Sequence, residues 1–132
     1  MTVDIADQLL AALRSRDADR LASLFADDYD SRQPAHPDRA FRGRDQVRTN
    51  WTAIFAGIPD FTPELVTASR DGDTVWSEWA WHGTRASGEP VEMAGVIVLG
   101  LRDDLIAWAR LYVEDVEVGA GIDAAVEDIA GS

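Results

Sequence analysis

Few side chains in this sequence can move a proton near neutral pH: it has two histidines, two tyrosines and no cysteine among 132 residues. The lack of cysteine removes a thiol nucleophile, thiolate metal ligands and disulfides. His36 lies between prolines in "QPAHPDR", where an imidazole would serve as general acid or base. An exposed loop histidine accounts for the same residue. Tyr29 and Asp30, with Asp28 beside them, follow a helical run. Either would act as acid or base once burial tunes its pKa, and an acidic cluster there is equally a solvated helix end. His82 and Glu78 share a strand face four residues apart, too far for direct contact. With two histidines, no cysteine and no helical His-x-x-x-His pair, zinc and iron lack dedicated ligands, so no metal and no cofactor is expected.

Binding is the chemistry offered by "TVWSEWAWHGT", which begins at Thr74 and holds three of the five tryptophans. The period of a strand sets Val75, Ser77, Trp79 and Trp81 on one face and Trp76, Glu78, Ala80 and His82 on the other. The second face is mixed in polarity, so the first is predicted to look toward the core. Trp79 and Trp81, with Trp51 and Phe55, would line an apolar ligand pocket. The same rings would also fill a solid core.

These residues must be positioned by an α+β frame. A stripe of Ile5, Leu9, Leu10 and Leu13, capped by Asp4, predicts a first helix, and Asp17 is a cap for a second over "ADRLASLFADD" with Leu21, Leu24 and Phe25 inward. The segment from Asp30 to Gly43 is irregular, with a short strand at each end. A third helix, capped by Asp45, carries Val47, Trp51, Ile54, Phe55 and Ile58. The period then changes to 2, predicting a four-stranded antiparallel meander: Leu65 to Ser69, Thr74 to Thr84, Val91 to Leu101, and Leu105 to Val116. A short helix, Asp123 to Ile129, ends the chain. The expected architecture is thus three N-terminal helices covering a curved, mainly antiparallel sheet in a single domain spanning residues 1–132. On the last strand Ala109, Leu111 and Val113 are assigned inward. Trp108, Arg110, Tyr112 and Glu114 face out with Trp76, forming an aromatic band suited to a sheet-to-sheet homodimer. Arg110 with Glu114 or Glu78 would supply interface ion pairs.

A net charge of −12, with 24 acids against 12 bases that are all arginine, opposes binding to nucleic acid or anionic membranes. No apolar stretch approaches a membrane span, and the acidic N-terminus does not read as a signal peptide. A cytoplasmic location is the expectation.

The segments "FRGRDQVRTNW", "GDTVWSEWAWHGT" and "GVIVLGLRDDLIAWARLYVED" resemble the SnoaL-like branch of the NTF2-like superfamily, and the likeness runs over nearly the whole chain. The resemblance implies a cone-shaped fold whose helices and sheet enclose a pocket, frequent dimerisation, and functions that include polyketide cyclases, epoxide hydrolases, dehydratases, steroid isomerases and proteins that bind without catalysis. Fold does not choose among these. The Arg-x-Asp pair of limonene epoxide hydrolases falls on Trp79 and Trp81. A further catalytic aspartate of hydrolases and cyclases falls on Leu111, which thereby joins the candidate pocket walls. Neither indole nor leucine accepts a proton. The leading expectation is a protein that binds a hydrophobic small molecule in a Trp-rich pocket. The alternatives are a lyase, isomerase or cyclase acting on a polyketide- or terpene-like substrate through His36, Tyr29 or Asp30, and a dimeric interaction module without a pocket.

Overall fold

A computed structural model describes residues 4–131. The N-terminal stripe forms helix α1 (Asp4–Ser15), which buries Ile5, Leu9 and Leu13; the capping role expected of the Asp4 side chain lies outside the described residues. Asp17 caps α2 (Ala18–Ala22) by accepting from the backbone N–H groups of Asp19 and Arg20, which satisfies two otherwise orphan donors. This helix is shorter than its periodicity predicts. The Leu24 carbonyl already accepts from the Ile106 N–H at 2.8 Å, and strand β1 (Phe25–Arg32) starts at the next residue. The helical spacing of Leu21, Leu24 and Phe25 therefore straddles a helix end and a strand start. Asp27, which clean alternation would place inside between Phe25 and Tyr29, is exposed because the strand's register slips there. That slip hides the strand from a period-2 reading.

After a 3-10 turn (Pro37–Arg39) come β2 (Phe41–Arg42) and α3 (Arg44–Gly57). Two helices, not three, thus precede the sheet, and α3 follows its first two strands. Gly43 rather than Asp45 occupies the cap position of α3, at φ 102°, with no side-chain bond. Asp45 instead lies in the first turn, where a carboxylate favours the helix dipole, and pairs with Arg48 at 2.8 Å. At the other end of α3, Arg16 donates through Nη2 to the Phe55 carbonyl at 2.6 Å and lies over the Phe55 ring, 5.3 Å from its centroid. It satisfies one of the carbonyls that a helix C-terminus leaves unpaired.

The meander follows as β3 (Thr62–Asp71), β4 (Thr74–Thr84), β5 (Pro90–Arg102) and β6 (Leu105–Leu111), then β7 (Glu114–Asp115) and α4 (Ile122–Ala130). The strand order is β2-β1-β6-β5-β4-β3, with β7 beside β5. The sheet is mixed: β1 runs parallel to β6, whereas the other pairings are antiparallel. Register shifts in β1, β3 and the β5–β6 pair bend it around α1 and α3. The expected last strand is broken in two. At Gly95 a Cβ would sit 2.1 Å from the Tyr112 carbonyl oxygen, so the backbones touch where β6 ends and β7 has yet to begin. Val113 is carried inward by that break.

The facing of β4 follows its alternation. Val75, Ser77, Trp79 and Trp81 are buried, while Trp76 is 52% exposed on the outer face. No helix among the described residues is long and apolar enough to cross a membrane.

Candidate functional site

Between the inner face of the sheet and helices α1 and α3 lies a cavity of about 310 Å³. It exists because large rings from three directions meet edge to face and frame space as well as fill it. Trp51 on α3 stands at 84° to Trp81 on β4, their centroids 5.6 Å apart, and Phe61 packs against Trp81 at 5.7 Å. On the other side, Tyr29 of β1 meets Phe25 at 4.7 Å and Phe41 at 5.9 Å. Inward residues of β5 and the last strands, among them Met93, Ile97 and Leu111, complete the wall.

Of the five residues expected to face a ligand, Trp51, Trp81 and Leu111 border this cavity. Trp79 and Phe55 are buried behind it. The Trp79 indole N–H donates to Ser77 Oγ at 2.8 Å, and that hydroxyl donates to the Ile97 carbonyl at 2.7 Å. The Trp81 indole nitrogen has no partner within the described residues.

The three residues singled out for acid–base work are dispersed. Tyr29 borders the cavity, and burial pushes its phenol up to about 12, with the Ser31 hydroxyl opposing the rise and the Asp30 charge adding to it. Asp30 instead lines a separate surface depression and lies near two guanidiniums, Arg32 at 3.5 Å and Arg42 at 3.9 Å. His36 joins its Nε2 to Glu114 Oε1 at 2.5 Å, tying the loop between β1 and β2 to β7. Neither Asp30 nor His36 borders the cavity, and among the described residues no Asp, Glu or His lines it.

On the outer face His82 approaches Glu64 at 3.5 Å and Glu92 at 3.7 Å, carboxylates from neighbouring strands rather than Glu78 of its own. No group of three or more potential ligands among the described residues is arranged to hold a metal. Arg110 lies 5.0 Å from the centroid of the Trp108 ring, and Glu114 is engaged by His36, so the expected Arg110–Glu114 pair does not form within the chain.

Five polar residues on the lining, Ser31, Gln33, Arg39, Asn50 and Arg85, are absent from the sequence-based expectations. Gln33 and Arg39 belong to the irregular segment, where no period assigns a facing. Arg85 sits in a turn, and Asn50 precedes Trp51 on α3 at the edge of its apolar stripe. The odd-numbered alternation Val91, Met93, Ile97, Leu99 on β5 was available as a signal for that wall.

Helices laid across one face of a curved mixed sheet, with an apolar cavity between them, define the NTF2-like class. Solved structures share this fold. A protein with a ketosteroid isomerase-like fold from Catenulispora acidiphila, crystallised with trimethylamine, is 23% identical, with 89% of this chain and 87% of that one covered at a TM-score of 0.74. IdmH of Streptomyces antibioticus, a proposed polyketide cyclase, is 24% identical over 85% and 89% at 0.70. A Mycobacterium tuberculosis protein in complex with estradiol-17beta-hemisuccinate is 17% identical over 83% and 91% at 0.71. No curated protein matches in sequence. The family model for the SnoaL-like domain matches residues 6–118, and the chain belongs to that family.

Proposed function

We propose that this protein binds a hydrophobic small molecule in the cavity between sheet and helices. The observation that carries the reading is the cavity itself: about 310 Å³, walled mainly by aromatic and aliphatic side chains, with no carboxylate or imidazole lining it among the described residues. Ligand sites span roughly 300–1,000 Å³, so the volume suits a compact body of one to three fused rings. The estradiol derivative bound by the Mycobacterium tuberculosis relative supports a ring-containing ligand in this fold. Native mass spectrometry of the freshly purified protein, followed by isothermal titration with a panel of fused-ring compounds, tests it. The expected result is a retained small molecule or saturable binding of panel members, and failure of the whole panel would overturn the reading.

A second reading, a lyase, isomerase or cyclase on a polyketide- or terpene-like substrate, is favoured by one observation, the position of Tyr29 on the cavity wall. A phenol raised to about 12 stays neutral and donates a hydrogen bond to a substrate oxygen. Proton abstraction would have to come from another group, because Asp30 and His36 stand off the cavity. Binding is therefore the reading placed first.

The outer sheet face is proposed as a homodimer contact. Trp76 and Tyr112 are 52% and 45% exposed there, and Arg110 and Glu78 offer opposite charges for a self-complementary surface. Sedimentation analysis should report a dimer that Trp76→Glu dissociates; a monomeric wild type at high concentration would refute this contact.

A further inference from the structure

The polar groups around the cavity include two guanidiniums and, among the described residues, no anion, with the neutral hydroxyls of Tyr29 and Ser31 beside them. Arg39, Arg85, Gln33 and Asn50 contribute guanidinium and amide groups, and no Asp, Glu or His stands among the lining residues to answer them. Arg44, Arg48 and Arg102 each engage an aspartate, and Arg85 is paired with Glu89. Arg39 differs. Its Nη1 donates to the neutral Gln33 Oε1 at 3.1 Å, and among the described residues it has no carboxylate partner. With its oxygen turned to the guanidinium, Gln33 has both amide N–H groups free of that bond to offer a ligand.

The backbone leading into Arg39 is anchored. It closes the 3-10 turn that Pro37 opens, where the fixed φ of proline suits the first position. Just before that turn, His36 is fastened to Glu114. A planar guanidinium with a neighbouring amide matches the two oxygens of a carboxylate. A rim location also lets both charges keep part of their hydration, avoiding the heavy cost of a fully buried pair.

Building on the binding reading above, we infer that the ligand is an amphipathic carboxylate, its apolar ring body against the wall that Trp51 and Trp81 form together and its carboxylate on Arg39 and Gln33. The same donor set discriminates against amines, which would meet a guanidinium and find no acceptor anion. The overall charge of −12 opposes any anion. Salt screens charges beyond about 8 Å at physiological ionic strength, so the groups at the rim decide the preference.

Titration calorimetry of the full chain with benzoic, 2-naphthoic and 2-anthroic acids, their amides and the corresponding arylmethylamines tests this. In at least one ring series the acid should bind about tenfold tighter than the amide, as expected for a charge-assisted bond, and the amine should bind least. Arg39→Gln should reduce the acid's affinity to that of the amide and leave the amide unchanged, while Arg39→Lys should retain part of the preference. Equal affinity of acid and amide for the wild type, or a preference that survives Arg39→Gln, would overturn the inference while leaving cavity binding intact. Binding of none of the compounds would instead overturn the binding reading.

Discussion

Trp79 gives its indole proton to Ser77, its neighbour two residues back on the inner face of β4, at 2.8 Å, and both side chains are 1% exposed. The serine passes the chain of bonds on to the Ile97 carbonyl of β5. Trp79 is thus a satisfied filler of the core rather than a wall of the cavity. Ser77→Ala removes the acceptor and leaves a buried indole N–H unmet, which costs about 1–3 kcal/mol. Urea unfolding should show a lower midpoint at an unchanged slope, and most of the loss should vanish in a Trp79→Phe background, where no N–H needs the serine. Equal losses in the two backgrounds would show that the hydrogen bond is not the cause.

Trp81 lies on the same face, only two residues further on, yet it borders the cavity and its indole nitrogen has no partner among the described residues. A bound ring should therefore alter the emission of Trp81 and Trp51, not that of Trp79. With a ligand that binds by calorimetry, Trp81→Phe is expected to lose most of the fluorescence change and weaken binding about threefold to thirtyfold, roughly 0.5–2 kcal/mol of lost contact. Trp79→Phe should keep both. A response that follows Trp79 would place the ligand elsewhere.

How much of this was legible in the sequence depends on the kind of signal each residue carries. Alternation on β4 assigns Trp79 and Trp81 inward and Trp76 outward because a strand has only two faces. It does not say which inward ring meets empty space, since that depends on Trp51 and Phe61 arriving from α3 and its exit. The register slip in β1 hid a strand inside an apparent helix and, with it, the pairing to β6. Arg39 carries no periodic mark at all, and its significance arises from the carboxylates that fail to reach it.

Tyr29 should make stability depend on pH in alkaline solution. Its phenol is raised by burial to about 12 in the folded chain, against about 10 when unfolded. Below pH ~10 both states hold the proton and the group adds no slope. Between about 10 and about 12 the unfolded chain loses the proton while the fold keeps it, so stability falls by up to ~1.4 kcal/mol per pH unit. Urea midpoints measured from neutral pH upward should show this decline, and Tyr29→Phe should flatten it. Tyrosinate absorbance assigning Tyr29 an ordinary ionisation in the native protein would contradict the burial argument.

Gly100 and Trp108 face each other across β5 and β6, and the indole lies so close that a Cβ on Gly100 would stand 1.9 Å from its ring atoms. The obstacle is a side chain rather than backbone, so relief is available: Trp108 can rotate away, giving up its contact with the glycine and the Arg110 guanidinium stacked over it. Overpacking of this sort costs about 1–3 kcal/mol, offset in part by the ~0.5–1 kcal/mol that alanine gains over glycine within a strand. Gly100→Ala should therefore destabilise by roughly 1–2 kcal/mol, on the balance of those effects. In a Trp108→Ala background the clash is gone and only the gain remains, so the same substitution should be neutral or stabilising, a coupling that a double-mutant cycle reads directly. Because Trp108 does not border the cavity, ligand affinity should stay within twofold of the wild type, about 0.4 kcal/mol. An equal cost in both backgrounds would mean that the strand's backbone, not the indole, requires glycine at this position.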